Sequence, residues 1–288
     1  MTESFFPTTA AAVTARLRHL ARTAPRGMRH GRNASGRSGT SPDFSDFQPY
    51  APGDDIRNVD WNIYARTDQL FIKRFMDERE LRVSVILDAS RSMGGDRWLY
   101  ARRLCAMLGM MALSADDHLV FMTAGGPKPS VFSAKGVRNR SRFLGHLEQL
   151  QPPGGNSFAG DAASENLLGA SVRYVVTDGL EPTESFRPLL RKLRKSAGEV
   201  RMILLKDDIP DIPERGSDVR FVDSETGKAV DVSLTAAAIH RQQALSERHF
   251  SELAALCREY AVAVLEAEEQ DGVLELVSKK MRRAGWVR

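Results

Sequence analysis

The sequence predicts an α/β protein: a doubly wound, mainly parallel sheet with helices on both faces, preceded by an irregular N-terminal segment. Three observations carry this reading. From residue 81 onward, short apolar runs of strand length alternate with longer stretches of helical periodicity, the pattern of β-α units in a parallel sheet. Two of those runs end in an acid, at Asp88 and at Asp178, about ninety residues apart. The chain has 288 residues, 42% hydrophobic and 27% charged, which is enough to bury a full core.

The elements follow in order. Residues 9–23 are Ala-rich, with Val13, Leu17 and Leu20 on one helical face, and predict a short docked helix. Residues 25–42, rich in Gly, Ser and Arg, read as a linker, so 1–42 form a basic helix and flexible linker. Residues 43–80 are expected to be an irregular segment packed on the main domain. They carry turn chemistry at Pro49 and at Pro52-Gly53-Asp54-Asp55, and 71–75 is a strand leading into the main fold.

Residues 81–288 make the main domain. Strand 81–87 precedes a helix at 96–113 with Asp96 as its N-cap. Strand 119–123, an antiparallel edge at 130–133 and helices at 137–150 and 158–168 come next. Then come strand 172–177, helix 183–195 and strand 200–205. A Pro- and Asp-rich insertion at 207–218 leads to a surface hairpin at 219–232. Helix 235–259, strand 261–265 and a last helix at 272–283 complete the chain.

Composition removes several function classes. The longest apolar stretch, 104–113, is about half of what a bilayer requires, so no membrane span is expected. No leader pattern opens the chain, and Cys105 and Cys257 read as reduced core residues, so a cytoplasmic protein is expected. The basic balance, +4 overall, is local. Residues 1–40 hold seven arginines against Glu3, and the remainder carries a slight negative excess. A nucleic-acid partner is therefore not expected for the main domain, and salt-sensitive binding through the Arg-rich arm stands as a separate reading. Gly31-Arg32-Asn33-Ala34-Ser35-Gly36-Arg37-Ser38 approaches a phosphate loop, but no strand precedes it. The six histidines lack zinc-ligand spacing, and no Gly-x-Ser-x-Gly elbow is present.

The informative cluster is Asp88, Ser90 and Ser92 together with Asp178. In an open α/β sheet, ligands collect at the carboxyl ends of strands, where these acids stand. Hard oxygen donors suit Mg²⁺ or Mn²⁺. Neutral hydroxyls leave such an ion under-neutralised, so it gains by taking a carboxylate from another molecule.

Asp88-x-Ser90-x-Ser92 with the later Asp178-Gly179 resembles the metal-ion-dependent adhesion site of the von Willebrand factor type A fold. In that pattern a threonine from a Gly-containing loop is a further ligand. Asn156, in Gly154-Gly155-Asn156-Ser157, stands at its place, so the metal set implied is Asp88, Ser90, Ser92, Asn156 and Asp178. Upstream, the string from Tyr50 to Trp61, with Gly53-Asp54-Asp55 and Asp60-Trp61, followed by Ala65-Arg66, is similar to the bacterial family of unknown function 58. This resemblance covers residue 43 to the C-terminus. It implies a non-catalytic adaptor that works with a MoxR-type AAA ATPase on client proteins. Asp54, Asp55, Arg57, Asp60, Trp61 and Arg91 are the candidate interaction residues. For the upstream charges, the competing reading is an internal salt-bridge and turn network. The alternative function is a metal-dependent phosphoryl hydrolase with Asp88 as nucleophile, although such enzymes commonly place a second carboxylate where Ser90 stands.

Overall fold

The structure, a computed structural model, describes residues 5–21, 44–51, 56, 59–75, 80–151, 153–206, 218–222, 229–233 and 236–288. Asp54, Asp55 and Arg57, the whole linker at 25–42 and the 207–217 insertion lie outside them. The chain divides into two units, Met1–Gly27 with Leu81–Arg288, and Met28–Glu80. Helix α1 (Thr8–Thr14), shorter than the periodicity predicts, thus counts with the larger unit.

The smaller unit is more regular than its turn-rich sequence suggests. Strand β1 (Phe44–Pro49) and strand β2 (Phe71–Phe75) pair antiparallel, with helix α2 (Trp61–Thr67) between them in the chain. The strand expected at 71–75 is present as β2, and its partner is β1. Buried Asp60 sets the start of α2, its carboxylate accepting from Asn62 N at 2.8 Å and Ile63 N at 3.2 Å.

The larger unit continues with β3 (Arg82–Asp88), α3 (Asp96–Ser114), β4 (His118–Ala124), β5 (Val131–Lys135), α4 (Arg140–Glu148) and α5 (Phe158–Ser164). Next are β6 (Ala170–Thr177), α6 (Phe186–Ser196), β7 (Ala197–Lys206) and the antiparallel pair β8 (Asp218–Val222) and β9 (Ala229–Ser233). The chain ends with α7 (Ala236–Glu259), β10 (Val262–Glu268), α8 (Val273–Glu275), a π turn (Leu276–Lys280) and α9 (Met281–Arg283). Asp96 is not the N-cap of α3. Gly95, at φ +70°, holds that position, and Asp96 supplies first-turn negative charge instead.

Six strands form one sheet in the order β10-β7-β6-β3-β4-β5, parallel except for β5 against β4. The order explains where a site can form. From β3 the chain moves outward through β4 to β5, then returns to the other side of β3 for β6, β7 and β10. Connections leaving β3 and β6 therefore diverge, and the crevice between their carboxyl ends is the topological switch point. Asp88 ends β3, and Thr177-Asp178 ends β6.

Strand alternation builds two cores, one on each face. Val83, Val85, Leu87, Val172, Tyr174, Val176, Ile203 and Leu205 pack with α3 and the C-terminal turns. Ile86, Met122, Val175, Met202 and Leu204 pack with α5, α6 and α7. Gly109 permits the close packing of α3 on α4, since a Cβ there would stand 2.1 Å from the Phe143 ring.

A polar group is sealed within the first core. Arg201, midway along β7, donates to Tyr174 Oη at 2.7 Å, Trp286 O at 3.0 Å, Glu199 Oε2 at 2.7 Å and Leu20 O. His19 Nε2 donates to Leu108 O at 2.9 Å, so its Nδ1 accepts from the Tyr174 hydroxyl at 3.0 Å. Burial pushes the His19 imidazole down to about 4, so the ring is neutral. Residues 18–20 and 286–288 pair antiparallel beside it, through Leu20 N to Trp286 O at 2.9 Å and Arg288 N to Arg18 O at 3.0 Å.

Candidate functional site

Asp88 is 1% exposed, and both its oxygens are held. Oδ1 accepts from Ser90 N at 2.8 Å, the short-range turn that an Asp closes on its own backbone two residues on. Oδ2 accepts from the Thr177 hydroxyl at 2.6 Å, and Thr177 Oγ1 in turn accepts from Gly179 N at 3.0 Å. The 3₁₀ turn Arg91–Met93 then curls the chain so that the Ser90 and Ser92 hydroxyl oxygens stand 3.1 Å apart.

Asp178 continues from β6 and meets α3. Its Oδ2 accepts from Arg97 Nη1 at 2.9 Å, both side chains being almost fully buried, and its Oδ1 accepts from Leu180 N at 3.1 Å. Arg97 Nη1 also donates to Ser92 O at 2.7 Å. Asp88 thus lies in a poorly solvated crevice close to a second carboxylate. Burial first, and the Asp178 charge second, push its carboxyl up to about 7, against the lowering effect of the Ser90 and Thr177 hydrogen bonds.

The rim is laced together from four loops. Gly154 N donates to Ala89 O at 2.8 Å, and Asn156 N to Gly125 O at 3.2 Å. The Asn156 side-chain amide donates to Gly126 O at 3.1 Å, so this residue ties its loop to the one after β4. Glu181 Oε2 accepts from Ser157 Oγ at 3.0 Å and Ala159 N at 3.3 Å, and its Oε1 accepts from Phe158 N. His249 Nε2 donates to Gly179 O at 2.7 Å, attaching α7 to the loop that carries Asp178.

Of the expected site residues, Asp88, Ser90, Ser92 and Asp178 come together, and Asn156 lies on the rim. Arg91 is exposed, its guanidinium passing over Gly155, where a Cβ would stand 3.1 Å from Nη2. In the smaller unit Asp60 is an internal helix cap, whereas Trp61 is 62% exposed and meets Tyr64 edge-on. Sequence reasoning missed Thr177, Arg97, Glu181 and His249. Arg97 carried a usable signal: a cation in the first turn of a helix opposes the helix dipole and calls for an acid nearby.

The donor set can be tested against a divalent ion. Ions with 2.0–2.1 Å bonds in octahedral geometry place adjacent ligand oxygens about 2.9 Å apart. The Ser90 and Ser92 hydroxyls are hydrogen-bonded to each other at 3.1 Å, a separation that is also compatible with that spacing. Both Asp88 oxygens accept hydrogen bonds, from Ser90 and Thr177, and a carboxylate has about four lone-pair sites in all. Among the described residues no group of three or more His, Cys, Asp or Glu is gathered.

An open-sheet α/β protein with an oxygen-rich cluster at its switch point is the class that this fold and site define. Residues 46–251 match a protein family of unknown function, DUF58, and the chain belongs to that family. Uncharacterized proteins of Mycobacterium bovis and Mycobacterium tuberculosis are 24% identical over 241 residues, covering 75% of this chain and 74% of theirs. Among solved structures, the conserved hypothetical protein BatB from Bacteroides thetaiotaomicron aligns at 16% identity with a TM-score of 0.38, over 71% of this chain and 98% of that one. An aerotolerance-related membrane protein from Bacteroides fragilis aligns at 16% and 0.40, over 70% and 97%. No helix among the described residues is long and apolar enough to cross a membrane.

Proposed function

We propose that this chain is a non-catalytic interaction adaptor with a von Willebrand factor A-like main domain. Asp88, Ser90, Ser92 and Asp178, with Asn156 at the rim, form its adhesion-type site for Mg²⁺ or Mn²⁺. The observation that carries this reading is the convergence of the Ser90 and Ser92 hydroxyls at octahedral spacing beside a buried carboxylate, at the switch point of the sheet. When bound, the ion supplies an open, positively charged position for a carboxylate of the partner. The protein's own residues fix that position: Ser90 N and Thr177 orient Asp88, and the 3₁₀ turn presents the hydroxyls. The partner proposed is a MoxR-type AAA ATPase, acting on a client protein, in the cytoplasm.

The hydrolase alternative is less well supported. Such enzymes commonly place a second carboxylate two residues after the nucleophile, where this chain has Ser90.

Calorimetric titration of Mg²⁺ and Mn²⁺ into the wild type and Asp88→Ala tests the metal. Binding by the wild type alone is expected, and equal or absent binding in both removes the ion from the reading. Affinity capture with both proteins as baits tests the partner: recovery of an AAA ATPase by the wild type only is expected, and its absence from both removes that partner.

A further inference from the structure

The Asp178 end of the site already holds a cation of the protein's own. Arg97 projects from the first turn of α3, where the helix dipole disfavours it, and its side chain is only 9% exposed. Nη1 reaches two groups at once, Asp178 Oδ2 at 2.9 Å and the carbonyl of Ser92 at 2.7 Å. Both belong to segments that the proposed metal set also uses. A guanidinium in that place partly neutralises the carboxylate that would otherwise attract an ion, and it repels any divalent charge brought within a few ångströms.

We infer that Arg97 is a built-in competitor for the divalent ion and sets the affinity of the site. A divalent ion gains Asp178 only as the guanidinium gives it up, so wild-type affinity is held low and occupancy follows the cation supply. This inference rests on the adhesion-site reading and adds the residue that tunes it. Arg97 is a positioning residue here, acting through Asp178 and the Ser92 backbone.

The test is calorimetric titration of Mn²⁺ and Mg²⁺ into the full chain as wild type, Arg97→Gln and Arg97→Lys, with far-UV circular dichroism to check folding. Arg97→Gln should bind about tenfold or more tightly, as expected when a unit positive charge near a divalent ion is removed from a site of intermediate dielectric. Arg97→Lys, which keeps the charge, should stay within a few-fold of wild type. Wild-type binding with Arg97→Gln equal or weaker overturns the competitor role and leaves the metal reading intact. No binding by any of the three overturns both. A second measurement needs no substitution: the Arg97 guanidinium ¹⁵N resonances of the wild type should shift as Mg²⁺ is added. Resonances unmoved at saturating Mg²⁺ overturn the inference even if Arg97→Gln does not fold.

Discussion

The larger unit buries two polar clusters, and their charges are balanced differently. Around Arg201, one guanidinium meets one carboxylate, Glu199, while Tyr174 and neutral His19 fill the remaining positions. Around Asp88, a second carboxylate, Asp178, stands nearby and pairs with the Arg97 guanidinium. The first cluster is closed: it fastens residues 18–20 and 286–288 to the middle of β6 and β7. The second sets two carboxylates side by side, and burial first, then the Asp178 charge, raises the Asp88 pKa. A balanced buried network reads as structure, and an unbalanced one at a sheet's switch point reads as a place prepared for something else.

The largest expected effect tests the closed cluster. Arg201→Met removes the Glu199 ion pair and the hydrogen bonds to Tyr174 Oη, Trp286 O and Leu20 O, so it should cost about 3–5 kcal/mol in urea unfolding. Hydrogen exchange should rise at residues 18–20 and 286–288. A loss below about 1 kcal/mol would show that the terminal segments are held without it.

Next comes pH, where the clusters should oppose each other. His19 has a folded pKa near 4, below its unfolded value near 6.5. Its contribution is complete above pH 6.5 and is lost, by about 3 kcal/mol, as pH falls towards 4. Asp88 has a folded pKa near 7, above its unfolded value of 3.8. Its buried charge destabilises the metal-free fold above pH 7, and that penalty is relieved as pH falls towards 4. The wild type should therefore show a shallow pH dependence between pH 4.5 and 6.5. His19→Gln should become more stable on acidification, and Asp88→Asn less stable. Parallel urea midpoints for all three across that range would break the comparison.

A smaller effect concerns the sign of one substitution. Asp88→Asn, measured without metal at pH 8, should raise stability by about 2 kcal/mol, because it removes a buried charge that the rest of the protein does not balance. Destabilisation would mean that the cluster is already closed. The smallest effect expected is at the rim: Glu181→Gln weakens the acceptor at the start of α5 and should cost about 1 kcal/mol, read by thermal unfolding.

Much of the main sheet was legible because its strands are bounded apolar runs. Six strands and the hairpin at 218–233 lie within a few residues of their expected places. The smaller unit was legible only in part: the strand expected at 71–75 is β2, and its partner was not foreseen. Residues 44–49 carry polar residues and a terminal proline, so no alternation announces β1. The four residues at the strand ends were readable because Asp and Ser there have few other uses. Thr177 was hidden inside a fully buried strand, where no periodicity distinguishes one residue from the next. Arg97 and Glu181 become meaningful only when the fold brings α3 to Asp178 and the loop after β6 to α5.

The lacing of the rim has a kinetic consequence. Ala89, Gly125, Gly126, Gly154, Asn156, Ser157 and Glu181 are cross-linked by hydrogen bonds before anything binds. For the partner proposed above, such a face need not order itself, so encounter rather than rearrangement would limit the rate of association. Loosening the lace at Glu181 would then slow the proposed capture while leaving Asp88, Ser90, Ser92 and Asp178 in place.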